Sequence, residues 1–187
     1  MRKVISFMAT TLDGYTEGPN GEFDWPNVDD QFNDFSVSQL NNIDTLLFGR
    51  NTYEGMASYW PTEDGVRDDP AIAALMNGID KVVFSASLER ADWEHTTHVK
   101  GDALAAVKEL KQGEGKHLAL FGSGRLTTSL LEAGLVDEVR VMLMPVLLGA
   151  GKSLFTGLDE RVGLRLLTTL TFANGNVLLT YQPSNLV

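Results

Sequence analysis

Two stretches of this sequence put glycine and arginine where the chain turns from a strand into a helix. "TLLFGRNTYEGM" runs from an apolar segment, residues 45–48, through Gly49, Arg50, Asn51 and Thr52 into a helical pattern. "LALFGSGRLTTSLLEAG" repeats the design, from residues 118–121 through Gly122, Ser123, Gly124, Arg125 and Leu126. The chemistry of such a turn is anion binding. A helix N-terminus offers N–H groups without partners and the positive end of its dipole. Glycine lets the backbone approach a phosphate with no Cβ in the way. Arginine adds a forked, permanently charged donor set. Either turn alone is ordinary strand-to-helix punctuation. Two, each with an arginine beside its glycines, suit a ligand with separated phosphates, such as a dinucleotide. The second turn is not a G-x-G-x-x-G fingerprint, because the third glycine would fall on Thr127.

A third stretch, "VLLGAGKSLF", imitates a nucleotide-binding P-loop through Gly151, Lys152 and Ser153. The motif needs glycine at the position of Val146 and a helix directly after Ser153. "SLFTGLDERVGL" has Gly157 and Gly163 and no sustained helical face. An NTPase is therefore excluded on spacing and on context, and Lys152 is read as a surface residue. His95 and His98 are three apart, but no third ligand cluster lies near them in sequence, so they are read as polar residues of a short strand and no metal is expected.

The elements that must position these turns follow from hydrophobic patterning. Residues 4–9, 45–48, 81–84, 118–121 and 139–144 are short apolar runs without clean alternation, as expected of strands buried on both faces of a parallel sheet. Helices are predicted between them. Asp102 caps one that ends near Gln112, and Asp69-Pro70 opens another that stops at Asn77-Gly78. Residues 29–40, 52–60 and 124–133 complete the set, and 60–69 read as a polar surface loop. The C-terminal end differs. Asn174-Gly175 between the apolar runs 163–172 and 176–182 is a hairpin signal, so those strands are antiparallel. The expected fold is α/β, a mostly parallel central sheet with flanking helices and an antiparallel C-terminal hairpin, in one domain spanning residues 1–187.

Composition narrows the partners. The 187 residues carry a formal net charge of −10 and no run of Lys and Arg, so nucleic acid and anionic membrane surfaces are not expected partners. The absence of cysteine removes disulfides, thiol catalysis and Cys-ligated zinc, and fits a cytoplasmic protein. The first residues, "MRKVISFMATTLDG", read as a strand rather than a signal peptide. The apolar run 141–151 is too short to span a bilayer. Met142 and Met144 in that region read as exposed and available to a dimer interface.

The order and spacing of four segments carry a family resemblance over residues 2–182: "SFMATTLDGYTEG", "LLFGRNTYEGM", "VVFSASL" and "LALFGSGRL". The chain resembles the dihydrofolate reductase superfamily. The segment "LVDEVRVMLMPVLLGAGKSLF" is similar in particular to the branch typified by the reductase domain of riboflavin biosynthesis. The resemblance implies a sheet of about eight strands, NADPH as cofactor and a homodimer. It carries over Gly49, Arg50 and Thr52 to the adenosine-side phosphates, with Arg50 at the 2′-phosphate. Gly122, Ser123, Gly124, Arg125 and Leu126 would wrap the pyrophosphate, Ser85 would lie near the adenosine, and Thr10 on the first strand would join the cofactor residues. Relatives often place a second serine directly after the first. Here that position is Ala86, followed by Ser87. A cis peptide between Gly122 and Ser123 is implied as well.

For the substrate end, the resemblance places a carboxyl five residues after a tryptophan. Trp25 and Asp30 in "WPNVDDQF" supply the pair, with Asp30 as proton-handling or substrate-anchoring group. Read from the residues alone, Asp29 and Asp30 are equally candidates for a helix N-cap, and Asp13-Gly14 reads as a turn. The reaction implied is reduction of a pyrimidine- or pterin-like heterocycle, as in 5-amino-6-(5-phosphoribosylamino)uracil reductase. The alternatives are a reductase of the same fold with another substrate, and a non-catalytic nucleotide-binding module that retains the cofactor pocket. The zinc deaminase that often accompanies the riboflavin reductase is not encoded, since its ligand cysteines are missing.

Overall fold

The strand-forming runs assemble into one eight-stranded sheet in the computed structural model, which describes residues 1–184. In chain order the strands are β1 (Val4–Thr11), β2 (Tyr15–Glu17), β3 (Ile43–Gly49), β4 (Asp80–Phe84), β5 (Thr96–Val99), β6 (His117–Phe121), β7 (Glu138–Met144), β8 (Lys152–Ser153), β9 (Gly163–Thr171) and β10 (Val177–Ser184). The helices are α1 (Asp30–Asn41), α2 (Arg50–Ala57), α3 (Glu63–Asp68), α4 (Pro70–Gly78), α5 (Ala103–Gln112) and α6 (Gly124–Glu132). The order across the large sheet is β5-β4-β3-β6-β1-β7-β10-β9. Neighbours from β5 to β7 are parallel, and the β7–β10 and β10–β9 pairs are antiparallel. This is the expected mostly parallel sheet with its C-terminal hairpin.

The unbroken apolar runs are explained by cover on both faces. On β3, Leu47 joins the cluster under α5 and α6, with Val4, Val107, Leu118 and Leu130. Its neighbours Leu46 and Phe48 join the opposite cluster under α1, α2 and α4, with Leu40, Tyr53, Ile72 and Trp93. All three are fully buried. Each such side chain contributes about 1.5–3 kcal/mol by leaving water. The helices between start where their caps predict. Asp69 accepts from the Ile72 N–H at 3.0 Å, and Asp102 accepts from Leu104 and Ala105.

Three expectations are corrected. Residues 60–69 are not all loop: Thr62 accepts from the Gly65 N–H and caps the short helix α3. Met142 and Met144 are not exposed. They are 0% and 1% accessible, because β7 is paired on both sides and their face is closed by Trp25, Phe32, Phe35 and Phe172. The 173–175 turn holds one positive φ rather than two: Gly175, at 91°, bonds back to Phe172. That is a three-residue hairpin loop with its glycine in the left-handed position.

Parallel strands with helices returning between them place every helix N-terminus at the carboxyl edge of the sheet. The ends of β1, β3, β4 and β6 and the starts of α1, α2 and α6 therefore share one rim. In open α/β sheets that rim is where ligands bind.

Candidate functional site

The two glycine turns are hydrogen-bonded to each other. The Gly49 N–H donates to Ser123 Oγ at 2.9 Å, and the Ser123 N–H donates to Thr52 Oγ1 at 3.1 Å. Gly122 N–H donates to the Phe7 carbonyl, which ties the end of β1 to the same knot. Turns more than seventy residues apart thus become one surface at the ends of β1, β3 and β6. The glycines are required by proximity. A Cβ on Gly122 would lie 3.2 Å from Thr52 Cγ2, and one on Gly124 would lie 3.2 Å from the Leu154 carbonyl oxygen.

The chain enters α6 through two successive left-handed residues, Gly122 (φ 58°) and Ser123 (φ 53°). No peptide bond among the described residues is cis, which corrects the expected Gly122–Ser123 isomer. The reversal that a cis bond would make is made here by paired positive φ angles on trans bonds. Because the Ser123 side chain bonds to Gly49, it provides no cap to α6. The first N–H groups of that helix, from Gly124 to Leu126, have no intrahelical acceptor by construction. Arg125 is exposed beside them, and Leu126 is partly buried against the core.

The arginine of the first turn has a partner that the sequence reading passed over. Arg50 is exposed and its Nη1 lies 3.0 Å from Ser87 Oγ, with Glu54 at 3.8 Å. Ser85 instead shapes the loop: its Oγ accepts from the N–H groups of Ser87 and Leu88. The absence of serine at Ala86 pointed away from this place, yet the turn around Ser85 brings Ser87 to the arginine. A cavity of about 900 Å³ adjoins Ser87, lined also by Tyr53, Glu54 and Trp93, and neither glycine turn lines it.

Thr10 is fully buried and its hydroxyl donates to the Tyr15 carbonyl at 3.1 Å, so it secures the first loop. Asp13 secures that loop to another. It accepts from Thr11 Oγ1 and from the N–H groups of Leu148 and Gly149. The Thr11 hydrogen bond and then that of Gly149 hold its carboxyl below the usual carboxylate range. β2 and β8 pair antiparallel in the same region, and Gly151 passes so close that a Cβ would clash with the Glu17 carbonyl. Lys152 is paired with Glu17 at 2.9 Å.

At the opposite end of the rim, Asp29 is the N-cap of α1, accepting from the Phe32 N–H at 2.9 Å. Asp30 is the first helical residue and is exposed. Trp25 packs with Phe32, Phe35, Met144 and Phe172, and Phe23 meets it edge-on at 5.4 Å. The Trp25 indole N–H is buried without a hydrogen-bond partner among the described residues. No hydrogen bond joins Asp30 or Trp25 to the glycine turns. The structure keeps the two predicted ends separate and assembles only the first. Among the described residues no group of three His, Cys, Asp or Glu is placed to hold a metal ion. His98 is occupied with the Ser85 carbonyl at 2.8 Å. No helix is long and apolar enough to cross a membrane.

The knot of Gly49, Thr52, Gly122 and Ser123 lies in segments that a family model spans whole: the RibD C-terminal domain matches residues 2–178. The chain belongs to the RibD C-terminal domain family. The YyaP protein of Bacillus subtilis (strain 168), itself uncharacterized, is 36% identical over 183 residues, covering 97% of this chain and 95% of YyaP. A protein of Shewanella sp. PV-4 assigned provisionally to riboflavin biosynthesis shares the fold with a TM-score of 0.75 at 24% identity. That match covers 98% of this chain and 99% of the other. Dihydrofolate reductase from Enterococcus faecalis, solved with NADP(H), aligns with a TM-score of 0.65 at 16% identity over 98% and 97% of the two chains. The fold of this RibD-family chain is therefore dihydrofolate reductase-like.

Proposed function

We propose that this protein is an NADPH-dependent reductase of a pyrimidine- or pterin-like heterocycle. The observation that carries the reading is the pair of hydrogen bonds lacing Gly49 and Thr52 to Ser123. It merges two anion-binding turns into one cradle whose glycines leave no room for a Cβ. The donor set fits a dinucleotide. Backbone N–H groups at Gly124 to Leu126 and the Arg125 guanidinium would hold a pyrophosphate, and Arg50 with Ser87 would hold a 2′-phosphate. The bound cofactor would supply a hydride.

The chain's own residues do the rest. The laced turns orient the phosphates, and the aromatic wall of Trp25, Phe32 and Phe35 excludes water from the heterocycle. Hydride transfer to a C=N or C=O carbon also requires a proton at the heteroatom. Asp30, with no neighbour occupying its carboxyl, is the group assigned to hold that proton or to anchor the ring.

Charge favours one substrate reading over another. Residues 4–49 contain no Lys, Arg or His and include Glu17, Glu22, Asp24, Asp29, Asp30 and Asp34. A phosphoribosyl substituent at this end would meet carboxylates, and Lys152 is already committed to Glu17. An uncharged heterocycle, as in a dihydrofolate reductase-like enzyme of other substrate, is favoured over a phosphorylated pyrimidine. NADPH titration followed by single-turnover oxidation against pterins and pyrimidines, with and without phosphate, tests both points. Tight NADPH binding with no oxidation by any of them supports the non-catalytic module instead. Faster turnover of the phosphorylated members overturns the charge argument.

A further inference from the structure

The large sheet ends on two unlike edges. At one, β5 is four residues long, Thr96–Val99, and partly covered. At the other, β9 runs nine residues, and every one after Gly163 is exposed. It pairs only with β10, on its inner side. The strand reads GLRLLTTLT, with Arg165 its single charge and neither Lys nor Pro. Arg165 is turned along the sheet to Gln182. Leu164, Leu166, Leu167 and Leu170 are 40–50% exposed. The register sets Leu166 opposite Tyr181 and Leu170 opposite Leu178, with a shift between Thr180 and Tyr181. Tyr181 packs on the α5 and α6 side and Leu178 on the α1 side, so leucines project from both faces of this edge. Exposed edges are normally blunted by charge, proline, shortness or cover, and β9 has none of these beyond one arginine.

We propose that β9 is a homodimer interface, in which two copies of the chain pair edge to edge and antiparallel about a two-fold axis. The proposal stands apart from the reductase reading. A second copy fits for three reasons. A two-fold axis perpendicular to the sheet lays a strand antiparallel to its own copy, so the surface must be self-complementary, and a Leu/Thr strand with one charge is. The chain's net charge is −10, whereas residues 163–171 hold one Arg and no acid, so this is where like-charge repulsion between copies is weakest. At about 3.3 Å per residue and about 10 Å of side-chain layer on each face, the strand offers on the order of 600 Å². A stable interface uses about 800 Å² per partner. The pairing also closes: each copy consumes its one open edge, and no fibre grows. Pairing here would stiffen the β9–β10 hairpin, whose turn holds residues 27–31 through Asn27–Asn174 and Ala173–Gln31 hydrogen bonds.

Sedimentation velocity over a dilution series tests this on the full chain and on the double variant Leu166→Lys/Leu170→Lys. The wild type is expected at twice the 20.5 kDa chain mass, and the variant at the single mass with an unchanged circular dichroism spectrum. Hydrogen–deuterium exchange of wild type gives a second readout that needs no variant: outward-facing amides of residues 163–171 should be protected and lose protection on dilution. A wild type monomeric at every concentration overturns the proposal. So does a dimer that persists in the folded variant, or a dimer whose β9 amides exchange as fast as those of free loops.

Discussion

The two ends of the carboxyl rim are built on opposite principles. At the phosphate end, backbone groups do the work: glycines in forced proximity, side-chain hydroxyls spent on holding turns together, and arginines on the perimeter. At the heterocycle end, side chains do it: an aromatic wall, an orphaned indole N–H and a fringe of carboxylates. The first end is held rigid by bonds between distant segments and recognises a shape common to many reductases. The second is held by packing, which can be altered one side chain at a time. A fold organised this way can keep one cofactor while its substrate changes.

Four substitutions can break that contrast or sharpen it. The largest effect is expected from Asp30→Asn, which should lower kcat by about a hundredfold or more while leaving NADPH affinity intact. Equal turnover would return Asp30 to a helix-terminal role. Arg50→Ala should weaken NADPH by roughly 10- to 100-fold, the worth of a charge-assisted hydrogen bond, and leave NADH nearly unchanged. Equal losses for both, measured by titration, would remove Arg50 from the 2′-phosphate. Ser87→Ala should act in the same direction by about threefold, since a neutral hydroxyl contributes about 0.5–1.5 kcal/mol. The smallest effect is expected at Asp13. Its carboxyl is held below the usual range, so its clasp on Leu148 and Gly149 is complete above the unfolded value of 3.8 and is lost only as pH falls below it. Asp13→Asn should raise exchange at those two amides at neutral pH without changing cofactor affinity.

How much of this was legible in the sequence depended on the range of the interaction involved. β1, β3, β4, β6 and β7 were legible because burial on both faces leaves an unbroken apolar run. α4 and α5 were legible because Asp69 and Asp102 cap them locally. The short helix α3 was missed, since Thr62 and Gly65 sit in a polar stretch without apolar periodicity. The burial of Met142 and Met144 was missed because it depends on Trp25 and Phe172, far away in the chain. The site shows the same division. Both glycine turns were visible, but the Gly49–Ser123 bond that joins them was not. Ser87 was obscured because its approach to Arg50 arises from a turn around Ser85 rather than from its place in a motif.

The small β2–β8 sheet has a consequence for motion. The loop after β1 and the loop after β7 would ordinarily fluctuate independently beside a ligand. Joined by two strands, by the Glu17–Lys152 pair and by Asp13, they form a single flap with one hinge at each root. Ordering that flap over a bound molecule costs the entropy of one moving body instead of two. A protease cut in either loop should leave both halves in place, because the severed strand stays hydrogen-bonded to its partner.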